Sequence, residues 1–98
     1  MDLGLEGKLR PLLVVSREDA HAERALCVCV PLTKQIRGGD YEAGVPRVRW
    51  LPRAEEGVAN VQGLTPVENH RLERRAGQFE PRVTRSVREK IAWLLELN

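Results

Sequence analysis

The sequence contains few aromatic residues, few cysteines and no long apolar run. Aromatic side chains make up 4% of its 98 residues, too few for a broad base-stacking platform. No apolar run approaches the ~18 residues that a membrane-spanning helix needs, and the N-terminal segment lacks the basic-then-apolar pattern of a secretory signal. We therefore expect a single cytoplasmic domain over residues 1–98 with no membrane partner.

The two cysteines, Cys27 and Cys29, form a lone C-x-C pattern. On one strand both side chains point to the same face, and neighbours at this spacing are poorly placed for a disulfide. A zinc site needs two further ligands, but His21 and His70 do not stand at the spacing of a zinc finger. The pattern predicts buried, reduced cysteines, and we expect no metal and no cofactor.

The charge balance excludes a strongly basic nucleic-acid clamp. Lysine and arginine total 16 against 14 acidic residues, a net charge of +2. Most of the basic residues are arginine, however, the side chain that best fits a phosphate with paired donors. The motifs of serine hydrolases, zinc proteases and nucleotide-binding loops are absent. His21 and His70 could act as an acid–base pair on RNA, although their polar surroundings favour exposed surface histidines.

Short runs of apolar and β-branched residues predict four or five strands. They cover residues 11–16, 25–32, 41–43, 48–51 and 58–67. Gly63 is a candidate bulge in the last of these runs. Strands of this length followed by helical segments predict an α+β fold, with a small, curled, barrel-like antiparallel sheet.

Two segments after the strands have helical patterns. Residues 68–75 predict a short helix that ends before Gly77. Residues 81–97 predict an amphipathic C-terminal helix with a proline in its first turn. Its apolar stripe consists of Val83, Val87, Ile91, Leu94 and Leu95. The stripe is wide for a helix that covers one small sheet, and Trp93 lies near its edge, which predicts a homodimer.

Polar residues stand at the ends of the two strongest strands. Arg10 directly precedes the first, and Thr33 directly follows the second. If the two strands pair antiparallel, these residues lie side by side at one mouth of the sheet, where an arginine and a hydroxyl make a natural phosphate site. In the alternative, Arg10 pairs with a surface carboxylate and Thr33 caps a turn.

Four segments of the chain resemble the MazF/PemK toxins of bacterial toxin–antitoxin modules. They are KLRPLLVVS at residues 8–16, VPLTKQIRG at 30–38, VANVQGLTPV at 58–67 and RLERRAG at 71–77. The resemblance implies an SH3-like barrel with a C-terminal α-helix, similar in fold to the gyrase poison CcdB. It also implies a homodimeric, metal-independent endoribonuclease that cleaves single-stranded RNA and is silenced by a cognate antitoxin protein.

The same resemblance implies specific site residues. The catalytic arginine and threonine of the family correspond to Arg10 and Thr33, and the loop that covers the RNA site corresponds to residues 4–8. The resemblance implies RNA contacts from further polar residues as well. These are Lys8, Lys34, Gln35, Arg37 and Gln62.

One departure from the family concerns its first strand. Family members begin with a strand that carries an R-G-acid-apolar pattern, and residues 2–4 match only the segment after it. We therefore expect the chain to lack about 8–12 residues, roughly one strand with its turn, which would leave an unpaired sheet edge. The alternatives to an RNA-cleaving toxin are a CcdB-like toxin that binds gyrase and a truncated, inactive relic that retains only antitoxin binding.

Overall fold

The architecture is an antiparallel sheet followed by one α-helix. The structure, a computed structural model, describes residues 2–6, 10–17, 24–48 and 57–97. The strands in these ranges are β1 (Asp2–Glu6), β2 (Arg10–Val14), β3 (Leu26–Thr33), β4 (Glu42–Val45), β5 (Gly57–Asn60), β6 (Thr65–Glu68) and β7 (Leu72–Gln78), and the helix is α1 (Pro81–Leu94). The predicted α+β class with a C-terminal helix is confirmed.

The long strand β3 organises the sheet. The strands run in the order β4-β5-β3-β2-β1-β7, and β6 pairs separately with β3. The first half of β3 pairs with β6, and its last two residues, Leu32 and Thr33, pair with β5. Among the described residues the sheet does not close, because no pairing joins β4 to β7. The described strands therefore form an open sheet rather than the barrel-like sheet that was predicted.

The segment predicted as a helix at residues 68–75 is not α-helical, so this prediction was wrong. Asn69–Arg71 forms a single 3-10 turn, and the chain then continues as β7. Strand β7 pairs with β1 from Asp2↔Gln78 to Glu6↔Leu72. Glutamate, arginine and leucine favour helices locally, but hydrogen bonding to β1 outweighs that local preference.

Two other predicted strands are not observed as single strands with the predicted bounds. The single strand predicted at residues 58–67 divides into β5 and β6, separated by a 3-10 turn over Val61–Gly63. Gly63 lies in this turn rather than in a bulge, and a Cβ there would come within 2.6 Å of the Pro31 ring. The strand predicted at residues 48–51 lies almost wholly outside the described residues.

Strand β1 has a neighbour on each side. It pairs with β2 through Leu3↔Leu13 and the following positions, and with β7 along its other edge. The described residues at this position therefore show no unpaired edge. The expectation that a further strand belongs before Asp2 stays a prediction.

The core lies between α1 and one face of the sheet. Its fully buried members include Leu13 from β2, Val30 from β3 and Val87 from α1. The predicted apolar stripe is confirmed for Val83 and Val87, which are buried, whereas Leu95 is 50% exposed because the helix ends at Leu94. Among the described helices, none combines the length and apolar character needed to cross a membrane.

Candidate functional site

The site is built around the end of β3. Thr33 is the last residue of this strand and is half-buried. Its Oγ1 accepts a hydrogen bond of 3.1 Å from the backbone N–H of Gln35, so the turn-capping role that was one alternative is observed. Because a hydroxyl carries one donor and two acceptor positions, accepting this bond leaves its O–H able to donate. Thr33 therefore combines a fixed position with a usable donor.

A cavity of about 350 Å³ opens beside Thr33. It is lined by Pro31, Thr33, Gln35, Arg37, Gly38, Tyr41, Glu42, Asn60 and Gln62. Four predicted site residues thus come together from two segments of the sequence: Thr33, Gln35 and Arg37 from residues 33–37, and Gln62 from the turn after β5. Except for proline and glycine, the lining side chains all carry hydrogen-bonding groups, so the cavity suits a polar ligand.

Glu42 holds the loop that carries Arg37. Both carboxylate oxygens of Glu42 accept the backbone N–H of Arg37, at 3.2 and 3.1 Å, and Oε1 also accepts the N–H of Gly38 at 2.9 Å. Gly38 and Gly39 have φ values of 77° and 111°, which glycine adopts without strain. The carboxylate is therefore occupied by backbone donors. Among the described residues, no carboxylate pairs with the Arg37 guanidinium, which leaves its charge available to an anion.

Replacement of Glu42 tests this loop anchor directly. We expect Glu42→Ala to speed amide hydrogen exchange at Arg37 and Gly38 by about tenfold, because hydrogen bonds to a charged acceptor are worth ~1.5–3 kcal/mol. Glu42→Gln should give a smaller increase, since one carbonyl acceptor remains. The Gln35 amide, held by Thr33, is the internal control. Unchanged exchange at Arg37 and Gly38 would show that Glu42 does not anchor the loop.

A second turn completes the opposite wall of the cavity. Asn60 caps the 3-10 turn that follows β5, and its Oδ1 accepts the N–H of Gln62 at 3.1 Å. The N–H of Val61 donates to the carbonyl oxygen of Tyr41 at 2.9 Å. The Val61 bond ties the Gln62 turn to the residue just before β4, so both sides of the cavity are held by hydrogen bonds that backbone N–H groups donate.

Arg10 lies at the same end of the sheet. It is the first residue of β2 and pairs with Glu6 of β1. Strands β2 and β3 are antiparallel, with Leu12 opposite Pro31. Continuing this register by two residues aligns the backbone of Arg10 with that of Thr33. The predicted pairing of the two strands is confirmed, and a shared site for the two side chains stays a prediction.

The other predicted RNA contacts lie outside the cavity lining or outside the described residues. Lys8 lies outside the described residues, and Lys34 is exposed and lies outside the cavity lining. The loop predicted at residues 4–8 was wrong for residues 4–6, which belong to β1 because they pair with both neighbouring strands. Its other residues lie outside the described ranges.

Of the histidines and cysteines, the described ones, His70, Cys27 and Cys29, are absent from this lining. His21 is outside the described residues, and the Nδ1 atom of exposed His70 lies 3.4 Å from a carboxylate oxygen of Glu68. Cys27 and Cys29 form no disulfide, and their sulfur atoms are 3.6 Å apart. Across the described ranges, no three His, Cys, Asp or Glu side chains gather to hold a metal ion.

Sequence reasoning missed three lining residues with polar side chains, Tyr41, Glu42 and Asn60, as well as Pro31 and Gly38. The pair Gly38-Gly39 did indicate a turn, and an acid shortly after such a turn is a plausible anchor for its amides. No comparable pattern marks Asn60 or Tyr41, because their roles depend on the return of β5 next to β4.

The sequence matches one family model over residues 1–95, described as a PemK-like, MazF-like toxin of a type II toxin–antitoxin system. Among curated proteins, no match is found. The fold is similar to that of a solved structure of the Mycobacterium tuberculosis toxin MazF-mt6, with a TM-score of 0.84 and 21% identity over 100% of this chain and 99% of that one.

Two further solved structures share the fold. One is an endoribonuclease from a mycobacterial species, with a TM-score of 0.75 and 20% identity over 97% of this chain and 88% of that one. The other is a mycobacterial endoribonuclease in complex with its cognate antitoxin, with a TM-score of 0.78 and 20% identity over 99% of this chain and 93% of that one.

Proposed function

Because the chain belongs to the PemK-like, MazF-like toxins of type II toxin–antitoxin systems, we propose that it is a toxin that cleaves single-stranded RNA and is neutralised by a cognate antitoxin. The observation that carries this proposal is the cavity at the end of β3, which gathers Thr33, Gln35, Arg37 and Gln62. Its polar lining and available arginine charge suit a ribose-phosphate backbone. Two structures with the same fold are named endoribonucleases, which supports the same choice.

The proposed reaction uses a nucleophile that belongs to the substrate. The 2′-hydroxyl of one nucleotide attacks the adjacent phosphorus, and the bond from phosphorus to the 5′ oxygen breaks. The products are a 2′,3′-cyclic phosphate and a 5′-hydroxyl, and the proton of the 2′-hydroxyl is matched by the one that the leaving oxygen gains. Because the chain need not supply the nucleophile, we propose that the reaction is metal-independent.

Each site residue has a role in this proposal. Arg10 stabilises the negative charge that builds on the phosphoryl oxygens. It is unsuited to act as a general base because arginine keeps its proton at working pH. Thr33 uses its hydroxyl donor to orient the phosphate or to relay a proton. The amides of Gln35 and Gln62 contact bases or sugars, and Arg37, Lys8 and Lys34 attract the RNA backbone.

The experiment is a cleavage assay on a long single-stranded RNA in the presence of EDTA. We expect fragments that carry 5′-hydroxyl and cyclic phosphate ends. Thr33→Val is the matched variant, because it keeps the side-chain volume and removes the hydroxyl, and it should lower the rate by about tenfold or more. Gyrase inhibition without RNA cleavage would instead favour the CcdB-like alternative. Antitoxin binding without either activity would favour the inactive relic.

The proposal includes a homodimer. The described chain leaves Leu95 and Leu97 beyond the end of α1 at 50% and 71% exposure, and burial of such side chains favours self-association. Trp93, predicted to contact a partner, is partly covered by Tyr41 of its own chain. Sedimentation should give twice the chain mass of 11.1 kDa. A mass near 11.1 kDa at micromolar concentration would contradict the dimer.

The antitoxin and the cellular location complete the proposal. We propose that an acidic segment of the antitoxin lies across the mouth of the cavity, where it meets the charges of Lys34 and Arg37 and of Arg10 at the start of β2. This placement would block RNA and neutralise the toxin by competition. Reduced thiols at Cys27 and Cys29 and an RNA substrate both fit a cytoplasmic protein.

A further inference from the structure

Two exposed aromatic side chains contact each other beside the cavity. Tyr41 and Trp93 are 42% and 41% exposed, their ring centroids are 5.1 Å apart, and their planes are inclined at 66°. Phe79, in contrast, is buried in the core, and Trp50 lies outside the described residues. An edge-to-face contact holds each ring in place, so this pair presents fixed aromatic surface to solvent.

One member of the aromatic pair, Tyr41, lines two cavities. Tyr41 lines the polar cavity that contains Thr33 and Arg37. It also lines a second cavity of about 490 Å³, together with Trp93, Leu94 and Glu96. The two cavities therefore lie next to each other, with Tyr41 as their shared wall, and an extended ligand could reach both. A strand of RNA, which carries a base on every nucleotide, is a ligand of this extended kind.

The second cavity suits a base and disfavours a phosphate. Glu96 contributes a carboxylate, and it follows the C-terminal end of α1, where the last carbonyl oxygens add partial negative charge. Both features repel an anion. The aromatic rings offer stacking surface that accepts any base. A carboxylate accepts a hydrogen bond from an exocyclic amino group such as that of cytosine, which uracil lacks.

We propose that Tyr41, Trp93 and Glu96 form a base-binding subsite that takes one unpaired, amino-bearing RNA base next to the cavity of Thr33 and Arg37. This inference rests on the proposed RNA-cleaving function and adds a subsite and a base preference to it. The shared lining residue Tyr41 favours an RNA base here over an apolar side chain of a protein partner, because RNA bound beside Thr33 and Arg37 places a neighbouring base close to Tyr41. The carboxylate of Glu96 is an acceptor that a base amino group uses and an apolar side chain does not.

The test compares two uncleavable probes by fluorescence anisotropy. One is a labelled 2′-O-methyl oligocytidylate, and the other is an abasic ribose-phosphate oligomer of equal length and charge. Wild-type protein should bind the first probe roughly 10- to 100-fold more tightly, because only that probe stacks. Trp93→Leu should remove most of this preference, whereas Trp93→Phe should restore much of it. Glu96→Gln should narrow the preference for oligocytidylate over 2′-O-methyl oligouridylate.

Two control variants separate this subsite from the proposed function. Leu26→Ala removes an apolar side chain of similar exposure, 44%, at the opposite end of β3 from Thr33, and it should leave the base preference intact. Arg37→Ala should lower the affinity for both probes by the same factor, because it removes a phosphate contact that both probes make. If Arg37→Ala weakens binding but Trp93→Leu leaves the base preference unchanged, the subsite is overturned and the proposed function survives.

Two other outcomes would also overturn the base-binding subsite. If wild-type protein binds neither probe, the RNA-directed function fails and the subsite fails with it. If Trp93→Leu alters the sedimentation mass or the antitoxin affinity without changing the base preference, the aromatic pair belongs to a protein interface and the subsite is overturned.

Discussion

Arg10→Ala should lower the rate of RNA cleavage by about 10²–10³-fold while the protein stays folded. In the proposed reaction its guanidinium meets charge that develops only in the transition state, and loss of one such contact typically costs ~2.7–4 kcal/mol. Arg10 begins β2 and pairs with Glu6 through the backbone, and alanine keeps those hydrogen bonds. The rate on a long single-stranded RNA, with folding checked by circular dichroism, measures the effect.

Two control variants make this expectation specific. Arg17→Ala removes an exposed arginine that lies beyond the other end of β2, so the rate should hardly change. Arg10→Lys keeps a positive charge but loses the paired donors, and it should recover only part of the rate. Full activity in folded Arg10→Ala protein would overturn the assignment of Arg10.

Leu13→Ala should lower the free energy of unfolding by ~2–5 kcal/mol, the usual cost of truncating a fully buried leucine. Leu13 is 0% exposed and lies in the core beside Val30 and Val87. Because small domains are stable by only ~5–15 kcal/mol, this change removes a large part of the total. Urea denaturation at one fixed protein concentration measures it, since dimerisation would make stability depend on concentration.

The control for this prediction is Leu26→Ala, in which the same residue type is 44% exposed. Its cost should stay below about 1 kcal/mol, because little apolar surface is lost from the core. Equal destabilisation by the two variants would show that the helix-covered face of the sheet is not the stabilising core.

Periodicity and residue type were sufficient to predict a strand or helix where the local preference of its residues agrees with the long-range contacts that the fold requires. The β-branched run of β3 and the apolar stripe of α1 both match what the sheet and core require. Residues 72–75 show the opposite case. Their residue types favour a helix, but they belong to strand β7 because this strand pairs with β1. That partner is some seventy positions away in the sequence, so no local pattern reveals it.

The candidate site divides in the same way. Thr33 and Arg37 follow from a strand end and a family resemblance, and both line the observed cavity. The anchoring by Glu42 depends on the turn at Gly38 and Gly39. The contact of Tyr41 with Trp93 depends on how α1 lies against the start of β4. Neither arrangement can be predicted from the spacing of residues in the sequence, because both arise from tertiary packing.

The central claim is that this chain cleaves RNA with Thr33 at the end of β3 and Arg10 at the start of β2. The most direct test compares wild-type protein with the Arg10→Ala/Thr33→Val double variant on one long single-stranded RNA in EDTA, both verified as folded. The account predicts fragments with 5′-hydroxyl ends from the wild type and essentially intact RNA from the double variant. Equal cleavage by the two proteins, or intact RNA with the folded wild type, would contradict it.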